Sequence, residues 1–144
     1  MTFFTIPGKP QGKARARTVY NPAIHRTVSY TPDNTMLYEN LVKTMYLKCK
    51  GQKFMDGQPL RVSITAFYEP PKSTSKKRQK IMLEGYEKPC KKPDIDNIVK
   101  VILDALNGIA YRDDTQVVSL SCQKRYAEES RVEVEIESMV GILP

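Results

Sequence analysis

The chain has 144 residues, 40% of them apolar and 27% charged, the makeup of one ordinary globular domain with enough material for a core. Its 23 Lys and Arg against 16 Asp and Glu leave a net charge of +7, which suits a polyanionic partner but speaks to solubility and nonspecific binding, not to fold. One histidine (His25) and three scattered cysteines (Cys49, Cys90 and Cys122) exclude a histidine-cluster zinc centre, weaken any serine–histidine chemistry and support no disulfide framework.

No apolar run approaches a membrane span and the N-terminus lacks a signal-peptide shape, so the expectation is a cytoplasmic protein away from membranes. Thr2 to Ile6 reads as a first strand, ended by Pro7-Gly8. Lys9, Lys13, Arg15, Arg17 and Arg26 follow with no acidic residue before Asp33. Packed together they would repel one another, so residues 8–30 are expected to form an exposed basic arm or hairpin, with Thr27–Tyr30 as its return strand. The plain alternative is a solvated basic loop; a phosphate-binding arm is the functional one. The Gly8-Lys9 and Gly12-Lys13 pairs lack the glycine spacing and hydroxyl of a nucleotide-binding loop.

Thr31-Pro32-Asp33 marks a helix start. Tyr38, Leu41, Val42, Met45 and Cys49 then recur at helical spacing as core positions up to Gly51. In Leu60–Tyr68, Val62, Ile64, Ala66 and Tyr68 alternate with Arg61, Ser63 and Thr65, the pattern of a half-buried strand. Pro70-Pro71 ends it. Ser73 or Ser75 can cap a short helix through Ile81, Met82 and Leu83. This Lys72–Lys92 segment is strongly basic, and Lys76, Lys77, Arg78, Lys91 and Lys92 form a second candidate phosphate-facing surface.

The stretch KKPDIDNIVKVILDALNGIAYRDDTQV, from Lys91 to Val117, carries the chemistry. Pro93 keeps Lys92 out of helical geometry, and Asp94 stands where a helix N-cap belongs. Ile95, Ile98, Val99, Ile102, Leu103 and Leu106 form an apolar stripe, and Gly108 closes the helix. Asp96, Lys100, Asp104 and Asn107 share the opposite face. Each feature has a bland reading: a cap for Asp94, a surface pair for Asp96 and Lys100, a turn for Asp113-Asp114. Four carboxylates bracketing one helix in a basic chain point instead to a hard-cation site. They converge only if the next strand runs back beside the helix. Gln116–Tyr126 and Arg131–Ser138 are the last two strands, joined by an Ala127–Ser130 turn. The Glu133, Glu135 and Glu137 face should point away from a polyanion.

The pattern K-P-D-x-D-N-x-x-K-x-x-x-D-A-L-N-G followed by D-D-x-Q-V resembles the RusA family of Holliday-junction resolvases of bacteria, phages and prophages. The N-terminal G-K-P-Q-G-K-A-R-A-R and the T-V-S-Y-T-P segment look like phage-type members. The resemblance implies one α+β domain over residues 1–144, a mixed sheet packed with helices. It further implies an endodeoxyribonuclease dependent on one or two Mg²⁺ ions (Mn²⁺ substituting), acting as a homodimer on four-way DNA junctions in recombination and repair. The family's catalytic aspartates fall on Asp94, Asp96 and Asp114 and its functional lysine on Lys100. Asp113 and Asn97 also match the pattern, and Asp113 is a further candidate ligand. Two other readings stand beside this one: a DNA-binding module whose aspartates merely cap a helix, and a nuclease acting on other branched DNA or on RNA.

Overall fold

The strands sort themselves by alternation. In the computed structural model, which describes residues 1–140, β4 (Leu60–Tyr68) buries Leu60, Val62, Ile64, Ala66 and Tyr68 on one face. It pairs antiparallel with β6 (Arg131–Ser138), setting Val62 opposite Ile136, Ile64 opposite Val134 and Ala66 opposite Val132. The outer side of β6 pairs antiparallel with β1 (Thr2–Pro7), so Phe4 and Ile6 join the same buried face. Strand β5 (Val117–Tyr126) lies parallel to β4 on its free side, giving the order β1-β6-β4-β5. Mixed pairing of this kind needs a long crossover between β4 and β5; two helices and the aspartate stretch lie in it.

Helices cover the apolar face. Tyr38, Val42 and Tyr46 of α1 (Asp33–Lys48) and Ile98, Val101, Ile102, Ala105 and Leu106 of α3 (Ile95–Leu106) enter one core with the strands. Burying a side chain such as Ile98, Ile102 or Leu106 stabilises by about 1.5–3 kcal/mol each. Between them runs the short α2 (Lys76–Leu83), where the Ser75 Oγ accepts from the Arg78 N–H at 3.3 Å, choosing Ser75 over Ser73 as its cap. Glu133, Glu135 and Glu137 lie on the opposite side of the sheet from these helices, where Arg131 and Arg61 pair with Glu133 and Glu137. The α+β architecture and element order expected from the sequence are thus observed.

Two details differ. Cys49 is exposed, because α1 stops at Lys48 and Tyr46 fills the buried position. Ile95 is 43% exposed at the first position of α3, ahead of the turn that meets the core. Val101 and Ala105 take the centre of the buried stripe instead. The exposed hairpin expected within residues 8–30 is observed: β2 (Arg17–Asn21) and β3 (Arg26–Tyr30) form a separate two-stranded sheet with no buried residue. Among the described residues no helix is long and apolar enough to cross a membrane.

Candidate active site

Asp94 has the extended backbone of an N-cap, yet its side chain makes no capping bond. The Asn97 N–H is taken instead by the Asp94 carbonyl at 3.1 Å and by Asp96 Oδ1 at 3.0 Å. The bland reading of Asp94 is therefore corrected: the neighbouring carboxylate and the backbone satisfy the helix start, and the Asp94 carboxylate stays exposed and uncommitted. Asp96 and Lys100 are exposed on the outward face of α3, one turn apart.

After Leu106 the chain is pinned back onto the helix. Buried Tyr111 donates its hydroxyl to the Leu103 carbonyl at 2.7 Å. Buried Gln116 donates to the Met55 and Gln58 carbonyls at 2.9 and 3.1 Å, while its Oε1 accepts the Arg112 N–H. A single 3-10 turn, Asp114–Gln116, follows, and Asp113 caps it, its Oδ2 accepting the Thr115 hydroxyl at 2.7 Å. That bond, helped by the Thr115 and Asp114 backbone N–H groups and opposed by desolvation, holds the Asp113 carboxyl below its usual range. Strand β5 then runs back beside α3, and Lys124 Nζ reaches the Lys91 carbonyl at 2.7 Å. This is the return that convergence of the two acidic pairs requires.

Asp114 is half-buried and its pKa is raised, first by burial and then by the neighbouring Asp113 and Asp104 carboxylates, against the pull of Lys100. Asn107, which ends α3, has a buried Oδ1 with no hydrogen-bond partner. Hard oxygen donors with unrelieved negative charge fit a hard cation. Among the described residues no three Asp, Glu, His or Cys side chains stand close enough to enclose a metal ion. Magnesium asks for less, commonly one or two protein carboxylates with water and phosphate completing its shell.

The root of the basic arm lies against the start of α3. Lys13 N–H donates to the Asn97 carbonyl at 2.9 Å. A Cβ on Gly12 would meet Pro93 Cβ at 2.8 Å and Asn97 Cβ at 2.9 Å, so only glycine allows this approach. A crevice of about 230 Å³ between Gly12, Lys92 and Asp94 and another of about 360 Å³ between Arg15 and Lys100 share Lys13 and Asn97 in their walls. The basic candidates divide accordingly. Lys13 is occupied within the chain, 2.8 Å from Glu39 and 3.4 Å from Asp104. Burial would lower its pKa, but these two carboxylates raise it. Arg78 pairs with Glu87 at 2.7 Å, and Lys91 sits over the Tyr68 and Tyr126 rings. Lys9, Arg15, Arg17, Arg26, Lys76, Lys77 and Lys92 are exposed. The sequence reading missed the supporting residues Glu39, Tyr111 and Gln116; for Gln116 the fixed place in D-D-x-Q-V was the available signal.

The family description "Endodeoxyribonuclease RusA" matches residues 7–137. The chain belongs to the RusA endodeoxyribonuclease family. Among curated relatives, an uncharacterised Bacillus subtilis protein, YqaN, is 34% identical over 139 residues, covering 94% of this chain and 95% of its own. The crossover junction endodeoxyribonuclease rusA of Lactococcus phage r1t is 31% identical over 105 residues, 72% of this chain and 70% of its own. Membership makes the chain a DNA endonuclease, and the match spans the basic arm, α3 and the Asp113–Gln116 turn together.

Proposed function

We propose that this RusA-family endonuclease is a Mg²⁺-dependent homodimer that cuts four-way DNA junctions during recombination and repair in the cytoplasm. The observation carrying the reading is Asp94: a carboxylate at a helix N-terminus that makes no capping bond, beside the basic arm that a DNA backbone requires. A module that only bound DNA would gain nothing from an uncommitted negative charge there. The similarity to the crossover junction endodeoxyribonuclease of the phage supports a crossover junction as substrate.

Asp94, Asp96 and Asp114, with Asp113 as a further candidate, would hold one or two Mg²⁺ ions, for which Mn²⁺ would substitute. When bound, the metal supplies Lewis-acid polarisation of the phosphodiester and activation of water. Lys100, exposed between the two ends of the acidic set, places positive charge where the transition state gathers negative charge. Arg15, Arg17, Arg26, Lys76, Lys77 and Lys92 hold backbone phosphates, which fixes position without reading sequence. Gly12 and the Lys13–Glu39–Asp104 ion pairs keep the arm seated on α3.

The experiment is a gel assay of purified protein on a synthetic four-way junction with and without Mg²⁺. Symmetric Mg²⁺-dependent nicks at the branch are expected. Binding without cleavage under every divalent-metal condition would defeat the reading.

A further inference from the structure

The β2–β3 hairpin presents an apolar face that is only partly covered among the described residues. Arg17 is paired with Tyr30, Val19 with Val28 and Asn21 with Arg26. Directly opposed side chains in a two-stranded sheet share a face, and alternate pairs share it with one another. One face therefore carries an apolar ladder of Val19, Val28 and Tyr30 with a guanidinium at each end. Val19 is 49% exposed and Tyr30 46%. At its Tyr30 end the ladder borders a crevice of about 440 Å³ walled by Met36, Glu39, Asn40 and Lys43 of α1, where Glu39 is already paired with Lys13. A lone two-stranded hairpin is marginally stable in water, so exposed apolar surface here calls for a partner.

Charge selects that partner. Lys9 to Pro32 contains no acidic residue, so docking a second hairpin on the first would bring like charges together. The Glu133–Glu137 face of another copy is a poor alternative, since Arg131 and Arg61 already pair with its end members. A linear duplex satisfies the guanidiniums but offers little apolar surface in its grooves. Bases at a branch point offer exposed ring faces for stacking beside phosphates for Arg17 and Arg26. We propose that the Arg17, Val19, Val28, Tyr30 and Arg26 face receives unstacked bases at the branch point, and so distinguishes a branch from a duplex. The inference rests on the junction-cutting function above and adds the surface that selects the substrate.

The test uses the full chain without divalent metal, a four-way junction with 2-aminopurine at the branch point, and a linear duplex of the same arm sequence. The wild type is expected to raise the 2-aminopurine fluorescence and to prefer the junction. Val19→Thr combined with Val28→Thr keeps the β-branched shape, and Tyr30→Ser removes the ring. Each variant is expected to abolish the fluorescence rise and cut junction preference by on the order of tenfold or more, with duplex affinity and its salt dependence retained. Arg17→Gln with Arg26→Gln should weaken both substrates alike and flatten the salt slope. If the paired threonine variant does not fold, Tyr30→Ser decides alone.

A fluorescence rise that survives the apolar changes overturns the proposal. So does an equal loss on junction and duplex, or a drop in oligomeric state with base unstacking intact, which would assign the ladder to a second copy. A wild type that binds the junction and cuts it with Mg²⁺ but leaves the 2-aminopurine dark defeats this inference alone. A wild type that neither prefers nor cuts the junction defeats the function on which it rests.

Discussion

Asp94 begins a helix without capping it, while burial and the charges of Asp113 and Asp104 raise the pKa of Asp114. Changing Asp94, Asp96 or Asp114 to Asn should abolish Mg²⁺-dependent cleavage and leave junction binding intact or tighter, as gel-shift and cleavage assays on one preparation will report. Activity retained in any of the three removes that residue from the site. Asp114 carries a second, independent signature. Its pKa is raised above the usual 3.8 by burial and by its acidic neighbours, so the native state holds the proton more tightly than the unfolded one. Between the unfolded and folded pKa values stability therefore falls as pH rises, and below the unfolded value the penalty is absent. In metal-free buffer, Asp114→Asn should raise Tm at neutral pH, with the gain fading in acid below the ordinary carboxylate range. The variant should also lose part of the Tm increase that Mg²⁺ gives the wild type. Equal Tm values at neutral pH would contradict a raised Asp114 pKa. Lys100 separates two roles. As a surface partner of Asp96 it would contribute only a few tenths of a kcal/mol and Lys100→Ala would spare turnover. Facing the phosphate, it should cost on the order of 10²-fold in turnover, with partial activity in Lys100→Arg if charge is what matters. Near wild-type turnover of Lys100→Ala would return it to the surface.

Among the elements, α3 was the most legible in the sequence, because its apolar spacing and Gly108 depend only on neighbours along the chain. The same local logic erred at its ends. Ile95 matches the stripe but precedes the turn that packs, and Asp94 has a cap's backbone without a cap's hydrogen bond. The basic arm was legible as exposed charge, yet its seat was not. Its contacts with Pro93, Asn97, Glu39 and Asp104 join segments far apart in sequence, and no periodicity encodes them. Gly12→Ala tests that seat. The added Cβ would have to displace Pro93 or Asn97, and overpacking of this kind costs about 1–3 kcal/mol. The expected outcome is faster hydrogen exchange from Lys9 to Arg17 and reduced cleavage, with exchange in β4 and β6 unchanged. Unaltered exchange in the arm would show that the close approach is not maintained in solution.

For the molecule as a whole, the root of the basic arm is seated on α3, which covers one face of the sheet, while the glutamates of β6 lie on the other face. Junction binding through the basic side should be steeply salt dependent, losing roughly 10³–10⁵ in affinity between 50 and 200 mM salt if six to ten phosphates are contacted. A flat affinity across that range would remove the arm and α2 as the DNA surface. Lys13→Ala should leave the slope nearly unchanged, since its ammonium is paired with Glu39 and Asp104. Strand order was the part of the fold that spacing left open. Alternation identifies which residues point inward, but the parallel β4–β5 pairing depends on how the crossover between them packs.

That order also bears on synthesis. Among the described strands, the first made, β1, finds its only partner in the last made, β6, and β4 is flanked by the last two. A nascent chain that has already released Asp94, Asp96 and Lys100 from the ribosome therefore lacks the sheet on which α3 must lie. Such long-range pairing forms late, after its loop-closure cost has been met. A chain stalled before Arg131 should expose its acidic residues without being able to cut. Nuclease activity is therefore expected only once β6 has emerged from the ribosome, and chains tethered through a C-terminal linker long enough to clear it, with and without β6, would reveal the onset.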